Sequence, residues 1–172
     1  MNRQKNAGFT VLEIMIVVAI ACILAAVAVP SFQDMIERDR LKQVVESLKS
    51  DLQFARTEAI KRNQDIHFSR SSGNAGAWCY GLNPDANCNC ATPGSCAVKT
   101  ISGSDFGTIV NMDAAATNNS TFDFRRGTIG ANRVTFSTDS YVARVFFSDI
   151  GRVRTCTPPV SGKTGLPGYP PC

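Results

Sequence analysis

The hydrophobic positions of the chain follow three successive patterns. Sixteen uncharged, mostly apolar residues run from Ile14 to Val29. From Leu41 to Ala59 the apolar residues recur at the spacing of one helix face. Beyond Asp65, apolar and polar residues alternate in short stretches, which is typical of β-strands. The order of these patterns predicts a long N-terminal helix followed by a β-rich head.

The first half of the predicted helix, residues 9–29, is long enough to cross a bilayer. It has 21 residues and a single charge, Glu13, and a helix of this length rises roughly 30 Å. Pro30 is expected to end or kink the helix, and an amphipathic half then follows over residues 30–62, up to Asn63. The apolar stripe of this half, which the rest of the chain must cover, consists of Leu41, Val44, Val45, Leu48, Leu52, Ala55 and Ala59. The opposite face carries Asp34, Glu37, Arg38, Arg40, Lys42, Glu46 and Lys49.

The head, residues 63–150, is expected to consist of antiparallel strands in one or two sheets. Alternating pairs predict strands at Ile66 and Phe68, at Phe122 and Phe124, and at Val134 and Phe136, and 141–150 is rich in β-branched and aromatic residues. Clusters of Gly, Asn, Ser and Asp separate these stretches. The fold class is therefore α+β. Because strands and helices do not alternate, a Rossmann or barrel enzyme is not expected.

The first thirteen residues add a motif to the apolar run. Gly8, Phe9, Thr10 and Glu13 follow a short leader that contains Arg3 and Lys5. A cleaved secretory signal would need a cleavage site after the apolar run, and a simple membrane anchor leaves Glu13 unexplained. With the apolar run behind it, the motif resembles that of type IV pilins and type II secretion pseudopilins.

That resemblance has specific implications for processing and assembly. It implies that a prepilin peptidase cuts between Gly8 and Phe9, and that the new N-terminal Phe9 is methylated. It also implies that Glu13 meets the amino terminus of a neighbouring pilin. The subunit would rest in the bacterial inner membrane as a single-pass protein with its head in the periplasm, and then enter an extracellular filament.

A second stretch narrows the resemblance. Residues 52–68 resemble the Ala-Arg-x-Glu-Ala-Ile-x-Arg-Asn stretch of FimT/GspH-type minor pilins and pseudopilins, and Trp78 with Gly81 fits the Trp and Gly that come soon after it in that family. The matching positions are Ala55, Arg56, Glu58, Ala59, Ile60, Arg62 and Asn63. Arg56 and Glu58 do not face each other on a helix, so each is expected to anchor the helix end to the head. A minor pilin of a type IV pilus and an H-type pseudopilin of a type II secretion system both stay open.

Seven cysteines are present, and six of them lie in the head and tail. Cys22, inside the apolar run, is expected to be an inert hydrophobic residue. The six candidates for disulfides are Cys79, Cys88, Cys90, Cys96, Cys156 and Cys172. An even number in a domain that is carried across a membrane favours disulfides, whereas the spacing lacks the Cys-x2-Cys turns of zinc sites. The sequence leaves the pairing open, with Cys156–Cys172 preferred, and no metal is expected.

Positive charge collects towards the C-terminus. The net charge of the chain is +4, and residues 121–172 hold seven basic and three acidic residues. Arg152 and Arg154 point to one side of an extended segment, and Lys163 follows. Gly-Arg-Val-Arg at 151–154 resembles the tail of FimT-type pilins implicated in binding DNA during natural transformation. This implies non-specific contacts of Arg152, Arg154 and Lys163 with double-stranded DNA. The alternative is that the arginines are solvated charges that protect an edge strand from aggregation.

No catalytic constellation is apparent. His67 is the sole histidine, it is expected to face outward from a strand, and the chain has neither a Gly-x-Ser-x-Gly motif nor a phosphate loop. The sequence therefore predicts a structural protein that is not an enzyme and needs no cofactor. We divide it into a leader (1–8), an apolar half-helix (9–29), an amphipathic half-helix (30–62), a head (63–150) and a basic, disulfide-bearing tail (151–172).

Overall fold

The computed structural model describes residues 9–114 and 119–172, so the predicted leader, including Gly8, lies outside the described residues. Helix α1 spans Val11–Arg62. It is followed by β1 (Ile66–Ser71), β2 (Cys79–Pro84), β3 (Lys99–Ser102), a 3-10 turn (Gly103–Phe106), β4 (Asn111–Met112), β5 (Asn119–Phe122), β6 (Asn132–Ser137), β7 (Tyr141–Phe147), β8 (Val153–Cys156) and β9 (Thr164–Gly165). The predicted α+β class is confirmed.

Both ends of α1 have local causes. At the start, Thr10 caps the helix, since its hydroxyl oxygen accepts a hydrogen bond from the Glu13 amide at 3.2 Å. At the end, Asn63 adopts a left-handed backbone with φ 55°, and the Gln64 amide donates to the Ala59 carbonyl, which is the geometry of a Schellman stop. The predicted end of the helix is confirmed. The helix does not end at Pro30, because α1 continues through it.

Two compact units divide the chain, one ending at Ile36 and the other spanning Glu37–Cys172. The second unit contains the whole hydrophobic core. Its sheets have the strand orders β3-β2-β1-β5 and β4-β6-β7-β8, and β9 pairs in parallel with β7. All other strand pairs are antiparallel. Aromatic side chains join the two sheets, such as Phe68 against Phe147 with ring centroids 6.0 Å apart.

The predicted apolar stripe of α1 is confirmed, and each of its seven residues is at most 1% exposed. Two residues of the opposite, polar face also contact the head. Glu37 accepts hydrogen bonds from the Thr138 hydroxyl and the Ser140 amide, and Arg38 donates to the Tyr141 hydroxyl at 2.9 Å. The head therefore wraps around the edges of the stripe, beyond the strip that helical periodicity marks as buried.

Strand β2 lies in a segment for which the hydrophobic pattern predicts no strand. The first four residues of β2 are all buried, namely Cys79, Tyr80, Gly81 and Leu82. The strand therefore lacks the alternation of buried and exposed residues that would identify it. One face packs on the main core, and the other lies under the disulfide loop. A Cβ at Gly81 would come within 2.3 Å of Cys96 Sγ, so only glycine allows this approach.

The tail, 151–172, is built into the head. Two of its stretches, β8 and β9, pair with β7 in the second sheet. Cys156 is joined to Cys172, the pairing that the sequence favoured. A proline- and glycine-rich segment is thereby closed onto an ordered sheet edge.

Candidate functional site

The beginning of α1 presents a long apolar surface. Phe9 is 78% exposed, and the large apolar side chains from Val11 to Val29 are exposed in this chain. Within the part of the chain that the structure describes, α1 is the helix long and apolar enough to cross a membrane, with a window of mean hydropathy 2.9. The described residues of the chain therefore do not bury the apolar side chains of this segment.

Glu13 lies in the first turn of that apolar segment. Its backbone amide is capped by Thr10, and its charge suits the positive end of the helix dipole. No cation among residues 9–114 and 119–172 pairs with its carboxylate. The residue thus helps the helix to begin and keeps its charge available to a group from outside the chain.

The arginine pair lies at the outer edge of the second sheet. Val153 pairs with Phe147 and Arg154 with Phe146, so β8 is an edge strand. Arg152 and Arg154 are both exposed, with the half-buried Val153 between them. In an extended backbone, side chains two positions apart lie on the same side. This position is compatible with a DNA contact and with protection of the edge.

Lys163 does not join this pair. It precedes β9, whose Thr164 pairs with Tyr141, whereas Val153 pairs with Phe147. Those two positions on β7 are roughly 20 Å apart at the usual rise of a strand. The Lys163 ammonium also donates to the Thr138 carbonyl at 2.5 Å. Its contribution to a DNA contact stays a prediction, from a place remote from the arginines.

A third arginine comes close to Arg152 from helix α1. Arg56 is exposed and lies on the backbone of two glycines: a Cβ at Gly127 would be 3.3 Å from Arg56 Nε, and one at Gly151 would be 3.4 Å from its Cζ. Both glycines have left-handed backbones, with φ of 62° and 73°. The expectation that Arg56 anchors the helix end to the head therefore agrees with its contacts.

Arg56 and Arg152 line the same cleft, which has a volume of about 470 Å³. Its walls are Gln53, Arg56, Ile150, Gly151, Arg152 and Val153. Arg56 is not among the DNA-binding residues that the sequence predicts, because the helical pattern does not show which turn of the head this residue contacts.

The nearest acidic residues along the chain are engaged elsewhere. Asp123 accepts hydrogen bonds from the backbone amides of Arg126 and Arg125, and the amide of Arg126 in particular lowers the pKa of this carboxyl. Asp149 accepts the Ala131 amide at 2.9 Å. In the described residues, no carboxylate forms an ion pair with Arg56, Arg152 or Arg154. Within the described residues, the three guanidinium groups are therefore not neutralised by a direct ion pair.

A buried polar cluster fixes α1 to the first sheet. Asp51 accepts hydrogen bonds from the Tyr80 hydroxyl at 2.9 Å and from the Lys99 ammonium at 2.5 Å. Burial, reinforced by the Asp51 charge, raises the pKa of Tyr80 and keeps its hydroxyl a donor. Near the helix end, Glu58 is 8% exposed, and its hydrogen bond from Arg62 lowers its pKa. These contacts serve the fold and leave no open site.

The cysteine loop holds two disulfides, Cys79–Cys90 and Cys88–Cys96. Because all four sulfurs are bonded in pairs, they offer no thiolate to a metal. No group of three His, Cys, Asp or Glu side chains suited to a metal occurs among the described residues. His67 is half-buried and lies 3.1 Å from the Thr121 hydroxyl through Nδ1.

Comparison with protein families identifies the lineage of the chain. Residues 44–151 match the model for type II transport protein GspH, which is more than half of the chain. The chain belongs to the GspH family. Residues 3–29 also match the prokaryotic N-terminal methylation motif. The predicted membership in the type IV pilin and pseudopilin superfamily is confirmed.

Individual relatives each match only a part of this chain. It is 52% identical over 48 residues to fimbrial protein Q of Moraxella bovis, which is 28% of this chain and 29% of that protein. It is 44% identical over 66 residues to a fimbrial protein of Pseudomonas aeruginosa, which is 38% of this chain and 41% of that protein. The chain thus spans less than half the length of either relative.

The fold resembles a solved minor pilin. The crystal structure of type IV minor pilin FimU from Pseudomonas aeruginosa aligns with a TM-score of 0.52 and 19% identity, covering 70% of this chain and 90% of that one. At this identity the likeness concerns the fold, a long helix with antiparallel sheets.

Proposed function

We propose that the chain is a minor pilin that is built into a type IV pilus through helix α1. The observation that carries this proposal is the exposed apolar half of α1 with one unpaired carboxylate, Glu13, in its first turn. A carboxylate in hydrocarbon costs about 2.5–3.5 kcal/mol near the centre of a bilayer, so a cation from a neighbour would favour docking. The free amino terminus of an adjacent subunit, at Phe9 after cleavage behind Gly8, is that cation.

The proposal includes the processing and location that this role requires. A prepilin peptidase removes residues 1–8 and methylates Phe9, in line with the methylation-motif match. Residues 9–29 then hold the subunit in the inner membrane with its head in the periplasm, and later lie in the filament core. The fimbrial proteins and the minor pilin that the chain resembles support a structural role without catalysis.

Glu13→Gln tests the assembly step. This variant keeps the length of the side chain and leaves Thr10 as the cap, yet it removes the charge. We expect normal membrane insertion and at least a tenfold loss of the subunit from sheared filaments, measured by immunoblot of both fractions. Asp39→Asn, which removes a charge from an exposed side chain in the other helical half, is the matched control. Normal incorporation of Glu13→Gln would refute the assigned role.

An H-type pseudopilin of a type II secretion system is the second candidate, and the description of the matching family favours it. A deletion strain separates the two. Loss of surface pili or of transformation, with secretion intact, supports the pilus subunit. If the strain no longer secretes proteins into the medium while its pili stay intact, the result supports the pseudopilin and overturns our first choice.

DNA binding is the additional function that we propose for the basic tail. Its support is the exposure of Arg152 and Arg154 on one side of an edge strand, without an acidic partner in the described residues. A few phosphate contacts give non-specific binding in the range of about 10⁻⁴–10⁻⁶ M, steeply weakened by salt. Such contacts would serve DNA uptake during natural transformation.

The double variant Arg152→Ala/Arg154→Ala tests this function. We expect it to lose the gel shift of a short duplex at low salt, while its thermal unfolding stays close to that of the unmodified chain because both side chains are exposed. Arg40→Ala, another exposed arginine, is the control. A retained shift in the double variant would remove the tail from consideration.

A further inference from the structure

Arg56 lies against the backbone of the head although its side chain is exposed. Its guanidinium lies against the backbones of Gly127 and Gly151, in contact with two turns that meet at this point. The Gly127 carbonyl oxygen itself would be 2.5 Å from a Cβ at Gly151, so the two turns are packed without room for a side chain. The two glycines thus form a floor without side chains, and the Arg56 guanidinium lies against it.

The charge of Arg56 is not consumed by this packing. No carboxylate among residues 9–114 and 119–172 forms an ion pair with it, and its side chain remains exposed. Glu58, two positions further along the helix, is bonded to Arg62 instead. An arginine that is positioned by the fold and left without an anion is suited to receive an anion from outside.

Arg152 and Gln53 complete the surroundings. Arg152 directly follows Gly151 and lines the same cleft of about 470 Å³, and Gln53 lies one helical turn before Arg56 on its wall. Two arginines and a glutamine therefore line one space. Guanidinium groups match the oxygens of a phosphate in a two-pronged way that an ammonium does not. A phosphodiester group is small enough to enter the cleft.

We propose that Arg56 and Arg152 form one phosphate-binding cleft, with Gly127 and Gly151 as its floor and Gln53 at its wall. The proposal rests on the DNA-binding function proposed above and adds to it a contact from helix α1. In it, the cleft holds one backbone phosphate of the duplex while Arg154 reaches the next. The helix that builds the subunit into a filament thereby also positions the ligand.

The first test measures duplex binding by the full chain in a non-ionic detergent. We expect Arg56→Gln to weaken binding about tenfold at low salt, since a hydrogen bond between charged groups is worth about 1.5 kcal/mol. Losing one phosphate contact should also flatten the slope of log Kd against log salt by about 0.9. Arg40→Gln removes the same charge from the same helix and should stay within about twofold of the unmodified chain.

Arg56→Lys distinguishes a phosphate clamp from plain charge. It keeps the charge and the long aliphatic stem on the glycine floor, but it loses the planar fork. We expect it to bind DNA about threefold more weakly than the unmodified chain, with unchanged thermal unfolding. In a double-mutant cycle, Arg56→Gln and Arg152→Gln should be non-additive, because either change opens the same cleft. Strict additivity would show two separate contacts and overturn the single cleft.

Inorganic phosphate is the second probe, and it separates this proposal from the DNA function. Titration with phosphate, followed by NMR of the arginine Nε–H groups, should shift Arg56 and Arg152 together and leave Arg40 unmoved. If the unmodified chain binds no duplex but phosphate shifts both groups, the DNA function fails and the cleft stands. If duplex binding needs Arg152 and Arg154 but not Arg56, and phosphate does not shift Arg56, the cleft fails and the DNA function stands.

Discussion

The two halves of helix α1 put similar residues into different surroundings. In the first half Leu24 is 66% exposed, and in the second half Leu48 is fully buried. Both belong to one continuous helix, so backbone structure does not distinguish them. The two halves differ in what buries their side chains. The second half carries one apolar stripe, which the head encloses. The first half is apolar all round, and its side chains stay exposed.

This difference shows which half of the helix stabilises the folded subunit and which half is left to contact other molecules. Burying apolar surface yields about 25 cal/mol per Å², and the second half obtains this within its own chain. The first half obtains it only from lipid or from other subunits. A contiguous exposed surface of this kind is typical of membrane or protein interaction sites.

The acidic residues repeat the same division. Asp51 is 5% exposed and is satisfied by Tyr80 and Lys99 of the head. Glu13 has its place in the first helical turn, and its carboxylate has no cation in the described chain. One carboxylate thus contributes to the stability of the folded subunit, and for the other we propose a contact with a neighbouring subunit.

Matched leucine truncations give the largest expected contrast between the halves. Leu48→Ala should lower the free energy of unfolding of the head by about 3 kcal/mol, because it opens a cavity in a closed core. Leu24→Ala should leave it unchanged. Urea unfolding of the full chain in detergent, followed by tryptophan fluorescence of the buried Trp78, measures both. Equal losses would mean that the first half also supports the head.

The carboxylates give the second contrast. Asp51→Asn should cost about 2 kcal/mol, since it leaves the Lys99 ammonium and part of a buried hydrogen-bond cluster without their charged acceptor. Glu13→Gln should not alter unfolding of the head at all. The same unfolding experiment decides, and Lys99→Met added to Asp51→Asn should recover part of the loss. A stability loss for Glu13→Gln would contradict the division.

The smallest effect concerns the contact between the tail and the helix. The Tyr169 hydroxyl donates to Glu46 at 2.7 Å. Although burial raises the pKa of Glu46, the hydrogen bonds from Tyr169 and Lys49 outweigh it and lower the pKa below 4.5. A lowered pKa stabilises the fold above the unfolded value and loses this effect as pH falls through the folded value.

Tyr169→Phe should therefore destabilise the head by about 1 kcal/mol at pH 7, and its difference from the unmodified chain should shrink below pH 4.5. Thermal unfolding across this pH range measures it. In Glu46→Gln, which cannot titrate, the Tyr169→Phe effect should be independent of pH. A gap that widens in acid would contradict the assigned hydrogen bond.

The helix and its buried stripe could be predicted because they depend on local order. Residues close together in the sequence determine the helical spacing of apolar residues from Leu41 to Ala59 and the end of the helix at Asn63. Strand β2 could not be predicted in the same way. Both of its faces are covered, so Cys79 to Leu82 show no alternation. The short strands β8 and β9 depend on pairing with β7, which lies earlier in the chain.

The same distinction applies to the candidate sites. The sequence by itself determined the apolar half-helix, Glu13 and the arginine pair, because each is a matter of residue type at short spacing. Only the tertiary structure decided that Lys163 lies away from Arg152, and that Arg56 meets Gly127 and Gly151. Those contacts join distant parts of the chain through sheet register and turn geometry, and no local pattern of hydrophobic and polar residues encodes that register.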